Sequence, residues 1–236
     1  MNHLANRFHK NKVLRFLFLG LYRKCYTEQV ARHKIRAFKA NAENVFGLFD
    51  CALKDIGCDY WLTFGTLLGA VREKGIIKHD FDIDVAMFLK DRPEDLPEQM
   101  AKHGFKRSRY IIVDDGKDGF EETYTCHDVS IDIFYFHEAE KKGEVYCYDF
   151  ITDPSRPNRE FMEENGGFWA RRLYLPFEGF CDFEFLGAEV KIPKNYEQYL
   201  SVHYGEDYMV PNPAWSTLTS PIARIMEGKV GKLVQF

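Results

Sequence analysis

Several common devices are missing from this sequence, and each absence excludes something. Its six cysteines form no CxxC and no short Cys/His spacing. That excludes a zinc finger or ribbon and points to buried or free thiols of a reducing compartment. No N-x-S/T triplet occurs, in keeping with a cytoplasmic chain. No apolar run approaches the roughly 20 residues that span a bilayer. The stretch VLRFLFLGLY (13–22) is broken by Arg15 and followed by Arg23 and Lys24. It also lacks a small-residue cleavage pattern, so it reads as neither a membrane span nor a signal peptide. Internal repeats and low-complexity tracts are absent, which excludes solenoids and disordered linkers.

Acid is nearly missing from residues 1–40, where Glu28 stands alone against ten Lys and Arg, a net +9. The other 196 residues hold 22 basic and 35 acidic side chains, a net -13, which together give the overall -4. A basic segment on an acidic body suits an anionic partner surface. Residues 1–40 are therefore expected to form a basic amphipathic helical segment, lying on an anionic membrane at its inner face or packing on its own domain or a second subunit. Nucleic acid is a poorer fit, because the body is acidic and no nucleic-acid motif occurs. Hydrophobic residues make up 45% and aromatics 16%, enough to bury a core, and residues 41–236 read as one catalytic domain.

Within that domain, apolar spacing predicts helices at 41–57, 65–75, 93–103 and 194–205. Strands are expected at 80–88, 128–136 and 144–151, with hairpins around DGKDG and across 181–193. Residues 153–167 read as a loop, and the last thirty as a surface wrap ending in a short helix. The irregular alternation implies a mixed α/β or α+β domain.

The chemistry concentrates in KHDFDIDVAM (78–87). Residues i, i+2 and i+4 of a strand share a face, so Asp80, Asp82 and Asp84 form a row with neighbours roughly 7 Å apart. A solvated edge strand is one reading; a divalent-cation site is the other. Two features favour the cation. Gly65-Thr66 opens a helix whose free N–H groups attract phosphate. Asp132 sits in the otherwise apolar strand SIDIFYF, where a carboxylate is costly unless paired or bound to metal. Strand-borne oxygens suit Mg²⁺, or Mn²⁺, held together with substrate phosphates. The ordered set resembles the nucleotidyltransferase signature, a mixed sheet flanked by helices, although D-x-D also occurs in glycosyltransferases that use UDP- or GDP-sugars.

The longer run FGTLLGAVREKGIIKHDFDIDVAM (64–87) closely resembles the motif of the LicD family of phosphocholine transferases and fukutin-related proteins. YEQYLSVHYGEDYMVP (196–211) is similar to the family's closing motif, and SIDIFYF to its third-aspartate strand. Phe81 stands where many bacterial members carry aspartate, a difference that points to the substrate pocket. The resemblance implies transfer of a phospho-alcohol (phosphocholine or an alditol phosphate) from a CDP-activated donor to a glycan hydroxyl of lipopolysaccharide or capsule type, possible also on a lipid-linked acceptor, with release of CMP. It implies that Asp82 and Asp84 bind Mg²⁺, with Asp132 a third ligand or the base. Gly65 and Thr66 would hold phosphate, Arg72 would face the leaving CMP, and His79 and Tyr204 would border the substrate. Blander roles stay open: Arg72 as a helix-dipole partner, His79 as a loop side chain, Gly205 as a C-cap, Arg171 and Arg172 as a surface pair, and Asp80 as the wet end of the row.

Overall fold

A computed structural model describes residues 12–78, 80–153 and 155–236. Its first element, helix α1 (Lys12–Ile56), runs without a break through residue 40. Phe38, Ala42, Val45, Phe46, Phe49 and Leu53 are buried along it at three- and four-residue spacing, a stripe that packs on the sheet. Of the basic segment, residues 1–11 lie outside the described residues. Among the described residues, no helix is long and apolar enough to cross a membrane.

Ten strands follow: β1 (Trp61–Leu62), β2 (Asp82–Phe88), β3 (Lys106–Val113), β4 (Gly119–Cys126), β5 (Val129–Glu138), β6 (Glu144–Ile151), β7 (Phe168–Pro176), β8 (Phe180–Phe185), β9 (Ala188–Pro193) and β10 (Ala223–Gln235). Helices α2 (Phe64–Arg72), α3 (Leu96–Lys102), α4 (Asn158–Asn165) and α5 (Tyr196–Tyr204) connect them. The strands form one mixed sheet in the order β4-β3-β10-β7-β6-β5-β2-β1-β9-β8. This is the expected α+β class. Strand β4 also pairs with β5, so six strands close on themselves and leave few free edges. Strands β2 and β5 are parallel neighbours, and the acids of both therefore meet at one place in the sheet.

Two expectations are corrected. The predicted 153–167 loop contains α4, and its Pro and Gly mark the helix's ends: Pro157 precedes it, and Gly166 ends it at φ 73°. Phe161 anchors α4 edge-on against Trp169, ring centres 4.9 Å apart. The C-terminal tail does not wrap the surface. It inserts as β10 between β3 and β7, although its glycines and charges hide the strand period. At Gly231 a side chain would meet the Phe150 ring at 2.3 Å, so only glycine fits there.

Candidate active site

In the parallel β2–β5 pair, Asp84 sits opposite Asp132 and Asp82 opposite Ser130. Asp82 and Asp84 share a face by the two-residue strand period, and adjacent strands lie only about 4.8 Å apart. The carboxylates of Asp82, Asp84 and Asp132 consequently converge, offering oxygen atoms within 4.8 Å of one another. Burial pushes the Asp84 carboxyl well above its ordinary range, and the charges of Asp82, Asp132 and Asp80 push it further. Three oxygen donors this close fit Mg²⁺ or Mn²⁺, whose charge would let all three ionise.

The start of α2 fixes Asp84 in place. Phe64 has φ 41°, a left-handed conformation that is strained for a bulky residue. Its ring is wedged against Phe134 and His203, at 4.8 and 5.3 Å. Beyond this bend the Gly65 N–H donates to Asp84 Oδ2 at 3.0 Å. The Asp84 N–H donates to Thr66 Oγ1 at 2.8 Å, and the Thr63 N–H donates to the Asp84 carbonyl at 3.3 Å. Gly65 and Thr66, expected to hold phosphate, are thus engaged with Asp84. A Cβ on Gly65 would lie 3.1 Å from Asp84 Oδ2 and 3.2 Å from Asp80 Oδ2, so any side chain there would press on the carboxylates. Asp80 stands across Gly65, outside the group of three.

Asp132 is held by residues that sequence reasoning missed. Thr123, its partner across β4–β5, donates its hydroxyl to Asp132 Oδ1 at 2.5 Å. Arg109 Nε donates to the same Thr123 oxygen at 2.7 Å, while its Nη2 lies 3.5 Å from both Asp132 and Glu121. Glu121 is buried, and burial, followed by the Asp132 charge, raises its carboxyl to about 8. The signal was available in FEETYTC: Glu121 and Thr123 alternate on one face of β4.

Two cavities meet beside Asp84, sharing Gly65, Asp80, Tyr204 and Trp215; of the three converging acids, Asp84 lines the smaller one. The larger, about 450 Å³, is bordered by Arg72, Tyr208 and Asn212. Arg72 donates to the Tyr208 carbonyl and to Glu73, and its buried Nε has no hydrogen-bond partner. The smaller, about 240 Å³, reaches Asp84 between Phe64, Phe134, Leu173 and His203. Tyr204 is half-buried at the junction, its ring 4.5 Å from Trp215. His203 accepts or donates at Ser220, and burial lowers its ring to about 4, so it stays neutral.

The remaining sequence candidates separate. His79 lies outside the described residues. Phe81 is exposed just before β2. Gly205 ends α5, its N–H on the Ser201 carbonyl. Arg171 is buried and ion-paired with Asp149, whereas Arg172 leaves on the other face of β7.

Comparison with known proteins finds that the family described as LicD/FKTN/FKRP, nucleotidyltransferase domain, matches residues 57–195. Ribitol-5-phosphate transferase FKTN of Mus musculus is 27% identical over 191 residues, covering 78% of this chain and 36% of that protein. Ribitol 5-phosphate transferase FKRP of Homo sapiens is 29% identical over 196 residues, covering 78% of this chain and 35% of that protein. Each match thus spans little more than a third of the relative's own length.

Proposed function

The chain belongs to the LicD/FKTN/FKRP nucleotidyltransferase family, and we propose that it transfers a phospho-alcohol from a CDP-activated donor to a glycan hydroxyl, releasing CMP. The observation that carries this reading is the convergence of Asp82, Asp84 and Asp132 within 4.8 Å, with Asp84 lining one of two joined cavities. These three residues would hold Mg²⁺ or Mn²⁺. Such an ion, when bound, neutralises and orients a diphosphate. Arg72 lines the larger cavity, and its guanidinium would meet donor phosphates there. Tyr204, Tyr208 and Trp215 supply ring surface there for the cytosine base. In the transfer, the acceptor oxygen bonds to the phosphorus that carries the alcohol. The bond from that phosphorus to CMP breaks, and the acceptor's proton is released. The smaller cavity, lined by Phe64, Phe134 and Leu173, would select the alcohol.

The test is CMP release from CDP-ribitol, CDP-choline and CDP-glycerol, with Mg²⁺ and with or without a glycan acceptor. Asp82→Asn and Asp84→Asn are each expected to lower turnover by more than about 100-fold. Turnover that survives both changes would overturn the metal assignment. Release of UDP or GDP from sugar nucleotides, with no CMP from any donor, would make the protein a sugar transferase instead.

A further inference from the structure

A third cavity, about 390 Å³, lies on the other side of the β6–β7 pair from the active site. Strand alternation separates the two: Asp149 and Leu173 face the catalytic cavity, while Tyr146, Arg172 and Tyr174 face this one. The Arg172 guanidinium lies over the Tyr146 ring at 4.4 Å and donates to Tyr148 Oη from Nε and Nη2, at 3.0 and 2.8 Å. Arg224, from β10, lies over the Tyr174 ring at 4.7 Å. The His137 ring stacks on Tyr146 at 4.9 Å and 11°.

The charge pairing around this cavity is selective. Glu138 and Glu144 border it, yet Glu138 pairs with Lys90 and Glu144 with Lys141. Among the described residues, neither Arg172 nor Arg224 has a carboxylate within 4.0 Å. Arg172 is fixed by Tyr146, Tyr148 and Tyr174, with the Asp118 charge nearby, and Arg224 by the Tyr174 face; the guanidinium N–H groups beyond these contacts remain for another acceptor. A planar fork of N–H groups matches phosphate oxygens. The volume exceeds what a bare ion needs and lies in the range of small-ligand sites. Rim carboxylates such as Glu140 can accept hydroxyl hydrogen bonds.

We propose that this cavity is a second ligand site, for a phosphate group carried by a compact polyhydroxylated molecule or free as inorganic phosphate. It does not depend on the catalytic reading. The test is equilibrium dialysis of the full chain with radiolabelled ribose 5-phosphate and, separately, inorganic phosphate, each with and without saturating CMP. The expected result is one site per chain that CMP does not displace and that Arg224→Ala weakens at least tenfold. Arg224 is exposed, so that variant folds, and its unchanged melting temperature would show it. Tighter binding of ribose 5-phosphate than of phosphate identifies the sugar-borne source; equal binding identifies the free ion. Binding that Arg224→Ala and Arg224→Glu both leave unchanged, or that CMP abolishes, would overturn the proposal.

Discussion

Thr66 separates two accounts of the start of α2. Its side chain is buried, and its hydroxyl accepts the Asp84 N–H at 2.8 Å. Valine has nearly the same shape but no acceptor, so Thr66→Val opens no cavity and leaves one buried backbone N–H unpaired. Such a loss costs about 1–3 kcal/mol. For a domain of this size each kcal/mol moves Tm by roughly 2–4 °C, so the melting point should fall by about 2–12 °C. Asp84 keeps the Gly65 and Thr63 contacts, so the fold survives with a looser carboxylate. Calorimetry in EDTA measures the first effect, and Mn²⁺ titration followed by electron paramagnetic resonance measures the second. Weaker Mn²⁺ binding is expected, with recovery of both quantities in Thr66→Ser. If Thr66 instead held donor phosphate, valine would raise the donor KM and leave Tm and Mn²⁺ affinity alone; that outcome would falsify the anchoring role.

Thr123→Val removes the hydroxyl between Arg109 and Asp132, and should weaken Mn²⁺ binding by about 10–100-fold, with Thr123→Ser near the parent. Glu121 gives a pH signature. Its folded carboxyl titrates near 8 rather than 4.5, so its favourable contribution is complete below about 4.5 and disappears as pH rises through 8. Metal-free Tm should therefore fall between pH 5 and 8, and Glu121→Gln should flatten that slope; parallel curves would contradict the assignment. Deleting residues 1–30 removes most of the basic segment but spares Phe38 and the buried stripe of α1. Sedimentation with anionic vesicles should then be lost and CMP release on a soluble acceptor retained; equal sedimentation would make the segment an internal or subunit contact.

The sequence was most informative where the chemistry is local. Alternation put Asp82 and Asp84 on one face, and the cost of burying a lone acid singled out Asp132. Spacing could not show that β2 and β5 are parallel neighbours, which is what places Asp84 opposite Asp132. Nor could it show that β4 approaches β5 from the other side, bringing Thr123 to Asp132. Arg171 illustrates the difficulty for β7: a buried arginine looks unlike a core strand until Asp149 faces it from β6. The strand β10 was obscured for another reason, since its glycines answer to the Phe150 ring and to the register shift between Ile225 and Val230, both set by distant parts of the chain.

The row of acids therefore depends on long-range partners at each end. Asp84 takes the Gly65 N–H on one oxygen, and Asp132 takes the Thr123 hydroxyl on one oxygen. An ionised carboxylate has about four lone-pair sites, so each retains acceptor capacity after those bonds form. A cation among Asp82, Asp84 and Asp132 would require neither bond to break. The supporting contacts fix the orientation of two carboxylates beforehand, while burial and then the neighbouring acids disfavour the Asp84 charge, which a bound cation would offset. Neutralising Asp82 alone should accordingly lower the Asp84 carboxyl toward its ordinary range in the metal-free protein. Carboxyl carbon chemical shifts of Asp82→Asn followed against pH measure this directly, and an unmoved Asp84 titration would mean that burial, rather than the neighbouring charge, holds it up.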